Sequence, residues 1–352
     1  MLEDKQPQLT PISTLGEFGL IKHLTENFPI NNASTEVSIG DDAAVINPEG
    51  KKVVVTTDTL AEGIHFNLGY VPLKHLGYKA VVANLSDIAA MNATPTQILV
   101  SLAVSNRFPV EALDEIYDGI YRACEKYGVD LVGGDTTSSQ TGLVITITAI
   151  GLENEEKLVK RNGAKANDLL VVTGDLGGAY MGLQILEREH SVYLVNPNMQ
   201  PEMEGYDYIL ERQLKPEART DIKKTLEDLG IQPTSMIDVS DGLASEVLHL
   251  SDQSKVGIRL YEEKIPLDSL TISTADEFNL NPVMCALSGG EDYELLFTIA
   301  PSDYEKMRNH PDFTVIGHVV EEEQGNFMVL RGSNELAKIT AQGWDAFLNK
   351  SE

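Results

Sequence analysis

Hydrophobic and polar positions along this chain fall into two patterns, helical spacing and short continuous apolar runs, and the changes between them fall at glycine, proline or acidic residues. Residues 15–28, LGEFGLIKHLTENF, place Phe18, Ile21, Leu24 and Phe28 at helical spacing and predict an amphipathic helix ended by Pro29. Over 75–91, Tyr78, Val81, Val82, Leu85, Ile88 and Ala89 define the core face of a second helix. Ala80, Ala83, Asn84 and Asp87 fall on another side of it, made of small residues that let a neighbouring backbone approach; Asp87 is then paired, metal-bound or simply solvated. A third helix is predicted over 110–127, with Leu113, Ile116, Ile120 and Cys124 on one face, where Cys124 reads as core rather than nucleophile.

The apolar runs predict strands. Val53, Val54 and Val55 read as a buried strand that stops at Thr56, Thr57 and Asp58, so that hydroxyls and a carboxylate collect at one strand end. A turn followed by a helix cap is the plainer explanation for Thr57 and Asp58. The arrangement recurs, however, in VDLVGGDTTSS (129–139), LLVVTGDLGG (169–178), SMIDVSDGL (235–243) and CALSGGEDYELLF (285–297). In SIGDDAAVI (38–46) two adjacent carboxylates precede a strand, unfavourable unless a cation sits between them or the turn is solvated. Further strands are predicted over 143–151, 255–261, 314–320 and 327–330, a helix from Pro216, and a short final helix over 341–348 holding the only tryptophan, Trp344.

Mixed strands and helices predict an α/β (α+β) chain, and 352 residues suggest two domains. The boundaries expected are a mobile tail over 1–13, a first domain over 14–152 and a second over 153–352, with a polar surface insertion at 190–208. A hydrophobic content of 42% is enough for proper cores. A net charge of −27 argues against nucleic acid or an anionic membrane as partner, although divalent metals would let so acidic a chain bind phosphates. Cys124 and Cys285 form no zinc or disulfide pattern, and no apolar run is long enough for a membrane span or a signal peptide; a cytoplasmic protein is expected.

The glycine turn after 169–173 is neither a Walker A loop nor a GxGxxG fingerprint. It could present amides to an anion, but Gly177 and Gly178 are better explained by close helix packing. Ser240 and Asp241 have the place of helix N-caps, whereas Asp238, before the cap, is harder to explain that way. Collected, the turn motifs supply Asp42, Thr56, Thr57, Asp58, Asp87, Asp135, Asp238 and Asp241. Hard oxygen ligands without a histidine or thiolate cluster favour Mg²⁺, and magnesium held by a few carboxylates points to a nucleoside triphosphate. HRD and DFG are both missing, so no protein-kinase signature is present.

Six motifs in this order, GDDAAV, TTDTLAEGIHF, YKAVVANLSDIAAM, VGGDTT, IDVSDGL and LSGGEDYEL, resemble those of the thiamine-monophosphate kinases. That family shares a superfamily with aminoimidazole ribonucleotide synthetase, selenophosphate synthetase and a hydrogenase maturation factor. The resemblance implies two α/β domains of aminoimidazole ribonucleotide synthetase-like fold, mixed sheets flanked by helices, and a homodimer whose N-terminal domains pair into an intersubunit β-barrel. It implies the reaction of ATP with thiamine monophosphate to give thiamine diphosphate and ADP. Residue by residue, it puts metal ligands at Asp42, Thr56, Thr57, Asp58, Asp87, Asp135, Asp238 and Asp241, of which Asp58, Asp87 and Asp238 act catalytically through the metal. ATP contacts fall on Gly134, Asp135, Arg161, Ser240 and Tyr117, and thiamine contacts on His65, Glu291 and Trp344. The alternatives fit less well: the DGVGTK-type motif of the synthetase is absent, no cysteine precedes Cys124 as selenophosphate synthetase needs, and the chain ends LNKSE rather than in cysteine. A non-catalytic nucleotide-binding protein would have no need of so complete a carboxylate set.

Overall fold

The computed structural model describes residues 9–39, 43–333 and 335–340. Asp42, Trp344 and the helix expected over 341–348 lie outside the described residues, as do residues 1–8 of the expected tail. The chain divides into two compact units, one of residues Met1–Asn84 and Pro95–Leu152, the other of Leu85–Thr94 and Glu153–Glu352. The second unit thus takes in residues 85–94, which the sequence places in the first domain.

The first unit contains, in order, α1 (Gly16–Thr25), β1 (Thr35–Val37), β2 (Val45–Ile46), β3 (Lys52–Ala61), α2 (Leu73–Ala90), β4 (Thr94–Val104), α3 (Val110–Tyr127), β5 (Asp130–Ser138) and β6 (Val144–Glu153), with the end of α2 and the start of β4 counted in the second. Its four-stranded sheet has the order β3-β6-β4-β5. β4 and β5 are parallel, while hydroxyl pairs Thr57–Thr148 (3.1 Å) and Thr59–Thr146 (2.8 Å) show β3 running antiparallel to β6. The buried Asp130 carboxylate accepts from the amides of Asn31 and Asn32 and from the Thr35 hydroxyl, which pins the segment after α1 to the start of β5. Part of the expected tail is fixed as well, since the Thr10 amide donates to the Glu111 carboxylate and Pro11 bridges to Pro109.

The run of valines does not make a buried strand: β3 lies at the sheet edge, and Val53 and Val55 are 49% and 60% exposed. Nor does the strand stop at the threonines; it continues to Ala61, so Thr56, Thr57 and Asp58 lie within it, as Gly134 and Asp135 lie within β5. Pleated alternation then sends the Thr57 side chain to the face opposite Thr56 and Asp58.

The second unit holds β7 (Leu169–Thr173), α4 (Gly178–Val195), α5 (Asp207–Leu214), α6 (Asp221–Leu229), β8 (Ser235–Asp238), α7 (Leu243–Ser254), β9 (Gly257–Tyr261), α8 (Ser269–Glu277), α9 (Pro282–Ser288), β10 (Leu295–Ile299), α10 (Tyr304–Met307), β11 (Phe313–Val320), β12 (Phe327–Val329) and β13 (Leu336–Lys338). Its seven-stranded sheet has the order β13-β12-β9-β11-β7-β10-β8, mostly antiparallel, with β12 parallel to β9. Both faces are covered. Leu170, Val172, Ile237 and Leu296 pack on one side with Leu243 and Val247 of α7, while Val171, Met236, Leu295 and Phe297 pack on the other with Ile222 and Leu226 of α6. That two-sided burial explains why LLVV and LLF read as continuous apolar runs. α4 extends to Val195, so only 196–206 of the expected insertion is irregular, and the helix expected from Pro216 begins at Asp221. Among the described residues no helix is long and apolar enough to cross a membrane.

Candidate active site

In the first unit, β3 and α2 are joined at the centre of the TTDT motif. The Asp58 amide donates to Asn84 Oδ1 at 3.0 Å, and the Asn84 side-chain amide in turn donates to the Ala80 carbonyl, so a buried side chain of α2 fixes the strand where it carries its carboxylate. Thr57 turns its hydroxyl to the Ile147 carbonyl and Thr148, away from Asp58. His65 is exposed beyond the end of β3, its Nδ1 accepting from the Ala61 amide. Gly134 pairs with Val100 and Asp135 with Ser101 across β5 and β4, and both are exposed. A Cβ on Gly134 would lie 1.8 Å from the Val100 carbonyl oxygen, so only glycine allows that approach. Tyr117 is buried within the unit, its ring edge-on to Phe28 and its hydroxyl pKa pushed up to about 12 by burial.

In the second unit the structure brings Asp87, Asp238, Asp241, Arg161, Ser240 and Glu291 into one neighbourhood. Asp238 ends β8 and is buried, with the Ser86 hydroxyl donating to its carboxylate at 2.7 Å. Burial, and then the Asp87 carboxylate, push the Asp238 pKa up to about 7, against the pull of Ser86 and Arg161. Asp241 is raised too, by burial, with His249 and Arg161 opposing. Neither Ser240 nor Asp241 caps α7, whose N-cap is Gly242. Their amides are instead accepted by one oxygen of the buried Glu246, at 3.0 and 2.8 Å. The Glu291 amide donates to the Ser240 carbonyl and the Tyr293 amide to the Val239 carbonyl, which stitches the two acidic loops together.

A buried carboxylate facing another carboxylate is the charge pattern a hard divalent cation relieves. Among the described residues no three His, Cys, Asp or Glu side chains form a ready-made cage. Magnesium does not require one, since it takes one or two carboxylates and fills its remaining positions with water and phosphate oxygens. The acidic residues present therefore fit Mg²⁺ better than a metal held wholly by protein. The other anion site that the sequence suggested is already filled: the amides of Gly177 and Ala179 at the start of α4 donate to the buried Asp292 carboxylate. Close packing of Gly177 is found, because a Cβ there would meet the Ala286 amide nitrogen of α9 at 3.0 Å.

The chain matches the family models "AIR synthase related protein, N-terminal domain" over residues 40–152 and "AIR synthase related protein, C-terminal domain" over residues 165–330. The thiamine-monophosphate kinase of Bacillus subtilis is 33% identical over 339 residues, 95% of this chain and 100% of the relative. The chain belongs to the thiamine-monophosphate kinase family. Among solved structures, AaThiL complexed with AMPPCP and TMP is 33% identical with a TM-score of 0.73, covering 97% of this chain and 99% of the other. The thiamine-monophosphate kinase from Stenotrophomonas maltophilia is 27% identical with a TM-score of 0.77, covering 92% and 98%.

Against this kinase family, the sequence motifs supplied the acidic residues but missed the side chains that hold them. Asn84, Ser86 and Glu246 each support a motif residue by hydrogen bonds; Asn84 stood apart on the small-residue side of its helix, whereas Ser86 and Glu246 looked like ordinary helical positions. Also missed was the ion network of Glu294, which receives Arg212 at 2.8 Å, Arg219 at 2.7 Å and the Thr173 hydroxyl at 2.5 Å. Its only sequence signal was a pair of arginines in an acidic chain.

Proposed function

We propose that this chain transfers the γ-phosphoryl group of ATP to thiamine monophosphate, giving thiamine diphosphate and ADP, the last step of thiamine diphosphate synthesis, in the cytoplasm. The observation that carries this reading is the likeness, over 97% of the chain, to a kinase solved with an ATP analogue and TMP together.

The chemistry follows from charge. The attacking atom is a phosphate oxygen, already ionised at neutral pH, so no general base is required. The obstacle is repulsion between two anionic phosphates, roughly 4 kcal/mol for each pair of unit charges about 4 Å apart at an effective dielectric near 20. Asp42, Asp58, Asp87, Asp135, Asp238 and Asp241, with Thr56 and the main chain at Thr57, would hold several Mg²⁺ ions. When bound, these supply the charge neutralisation and alignment that phosphoryl transfer needs. The chain's own groups do the positioning. Ser86 and Asn84 hold Asp238 and the Asp58 backbone in place before ligand arrives, Glu246 fixes the Ser240 and Asp241 amides, and Arg161 adds positive charge on the ATP side. Gly134 lets ATP approach the backbone of β5, beside Asp135. His65, Glu291 and Trp344 contact the thiamine moiety, Glu291 accepting from the aminopyrimidine and Trp344 stacking on a ring. Transfer is direct and in line, without a phosphoenzyme.

The same reading includes a homodimer in which first-unit sheets pair into a barrel. The exposed β-branched side chains Val53 and Val55 on the edge strand β3 support it, because such a strand is otherwise a liability in water.

ADP release from purified protein with Mg-ATP, with and without thiamine monophosphate and beside the Asp58→Asn variant, tests the reaction. Acceptor-dependent ADP, lost in the variant, is expected; acceptor-independent release or none would overturn it. With chiral γ-phosphoryl ATP, inversion at phosphorus is expected and retention would indicate a phosphoenzyme.

A further inference from the structure

Gln213 lies in the last turn of α5, an element of eight residues in which only Ile209 and Gln213 are buried. Its Nε2 donates to the Glu291 carboxylate at 2.9 Å. Three features make this contact a fixed one. α5 is pressed onto α4 at Gly182, where a Cβ would lie 2.1 Å from the Ile209 carbonyl oxygen and 2.9 Å from the Gln213 Cβ, so the absent side chain sets the depth at which Gln213 sits. The residue before it, Arg212, is tied to Glu294 at 2.8 Å and to the Asp175 carbonyl at 2.9 Å, which stops the helix from turning about its axis. Glu291 itself holds a left-handed backbone (φ 60°), a conformation that costs energy for a residue with a side chain, and its amide is tied to the Ser240 carbonyl at 2.7 Å. A strained backbone aims the carboxylate and a buried amide from another element holds its tip.

We infer that Gln213 is a positioning residue that fixes the Glu291 carboxylate for the nitrogen-bearing ring of the acceptor, and so sets acceptor affinity without touching the transferred phosphoryl group. This rests on the proposed role of Glu291 at the thiamine moiety. A neutral amide is well suited to this position, because it adds no positive charge beside Glu291, whereas a cation there would compete with the acceptor for it.

The test is a double-variant cycle with Glu291→Gln, Gln213→Met and the pair, read as KM for thiamine monophosphate, KM for ATP, kcat and melting temperature. Methionine keeps the volume and removes the donor. Glu291→Gln and Gln213→Met are each expected to raise the acceptor KM about tenfold, the scale of one hydrogen bond to a charged group, with ATP KM and kcat within about twofold and the pair no worse than either alone. Gln213→Glu, which sets a second carboxylate against the first, is expected to raise the acceptor KM further, and Gln213→Asn serves if methionine does not fold. An acceptor KM that rises for Glu291→Gln but stays unchanged for Gln213→Met, with only the melting temperature altered, overturns the inference and leaves the Glu291 role standing. An acceptor KM unchanged in Glu291→Gln overturns that role and the inference with it.

Discussion

The Ser86 hydroxyl donates to the Asp238 carboxylate at 2.7 Å, and both residues are almost wholly buried. A hydroxyl neutralises no charge, so without a cation Asp238 remains an unfavourable anion beside Asp87. Asp238→Asn is therefore expected to separate stability from activity. In EDTA the variant should be more stable by about 1–2 kcal/mol in urea unfolding. Its phosphoryl transfer with Mg-ATP should fall by at least about a hundredfold. A variant less stable than the parent in EDTA would mean that the carboxylate serves the fold rather than a metal.

Glu294 sits between Arg212 and Arg219 and accepts from both, although Arg219 also pairs with Asp221 through two hydrogen bonds of 3.1 Å. Glu294→Gln keeps the shape and removes the buried charge that the half-buried Arg212 and Arg219 share. A loss of about 3–5 kcal/mol is expected, the usual result of breaking a buried ion pair from one side, measured by urea unfolding.

Asp292 gives a pH dependence of definite sign. Burial pushes its pKa up to about 6, although Arg212 and the amides of Gly177 and Ala179 pull the other way. The unfolded chain, with an ordinary carboxyl near pH 3.8, releases that proton sooner. The folded state thus holds the proton more tightly, so this contribution to stability is present below about pH 4 and is lost as pH rises through about 6. Asp292→Asn should flatten the fall in unfolding free energy over that window by on the order of 3 kcal/mol. Parallel pH curves for parent and variant would contradict it.

Gly182→Ala is expected to cost about 1–3 kcal/mol, because the new Cβ would press on the Ile209 carbonyl and push α5 off α4. Thermal melting checks it. A variant melting with the parent would show that α5 yields without cost.

Much of this architecture is legible in the chain because the signals are local. The helix on Leu113, Ile116, Ile120 and Cys124 buries those four residues, and the LLVV and LLF runs are strands covered on both faces. Asp238 stood out because it precedes the place of a helix cap, and it is buried at the end of β8. What escaped depends on partners distant in sequence. Whether Val53 and Val55 are covered is decided by which strand ends the sheet, not by their own β-branching. α5 escaped because it is only eight residues long, and its fit is set by a glycine 27 to 31 positions earlier, seen only once the helices meet. Ser86 and Glu246 look like ordinary helical residues until the loops that they support are in place.

The central claim is most directly tested by following both products of the purified protein with Mg-ATP and thiamine monophosphate. Thiamine diphosphate and ADP in equal amounts, with neither formed when Asp58 or Asp238 is replaced by asparagine, is the expected result. ADP without thiamine diphosphate, or no turnover by correctly folded protein, would contradict it.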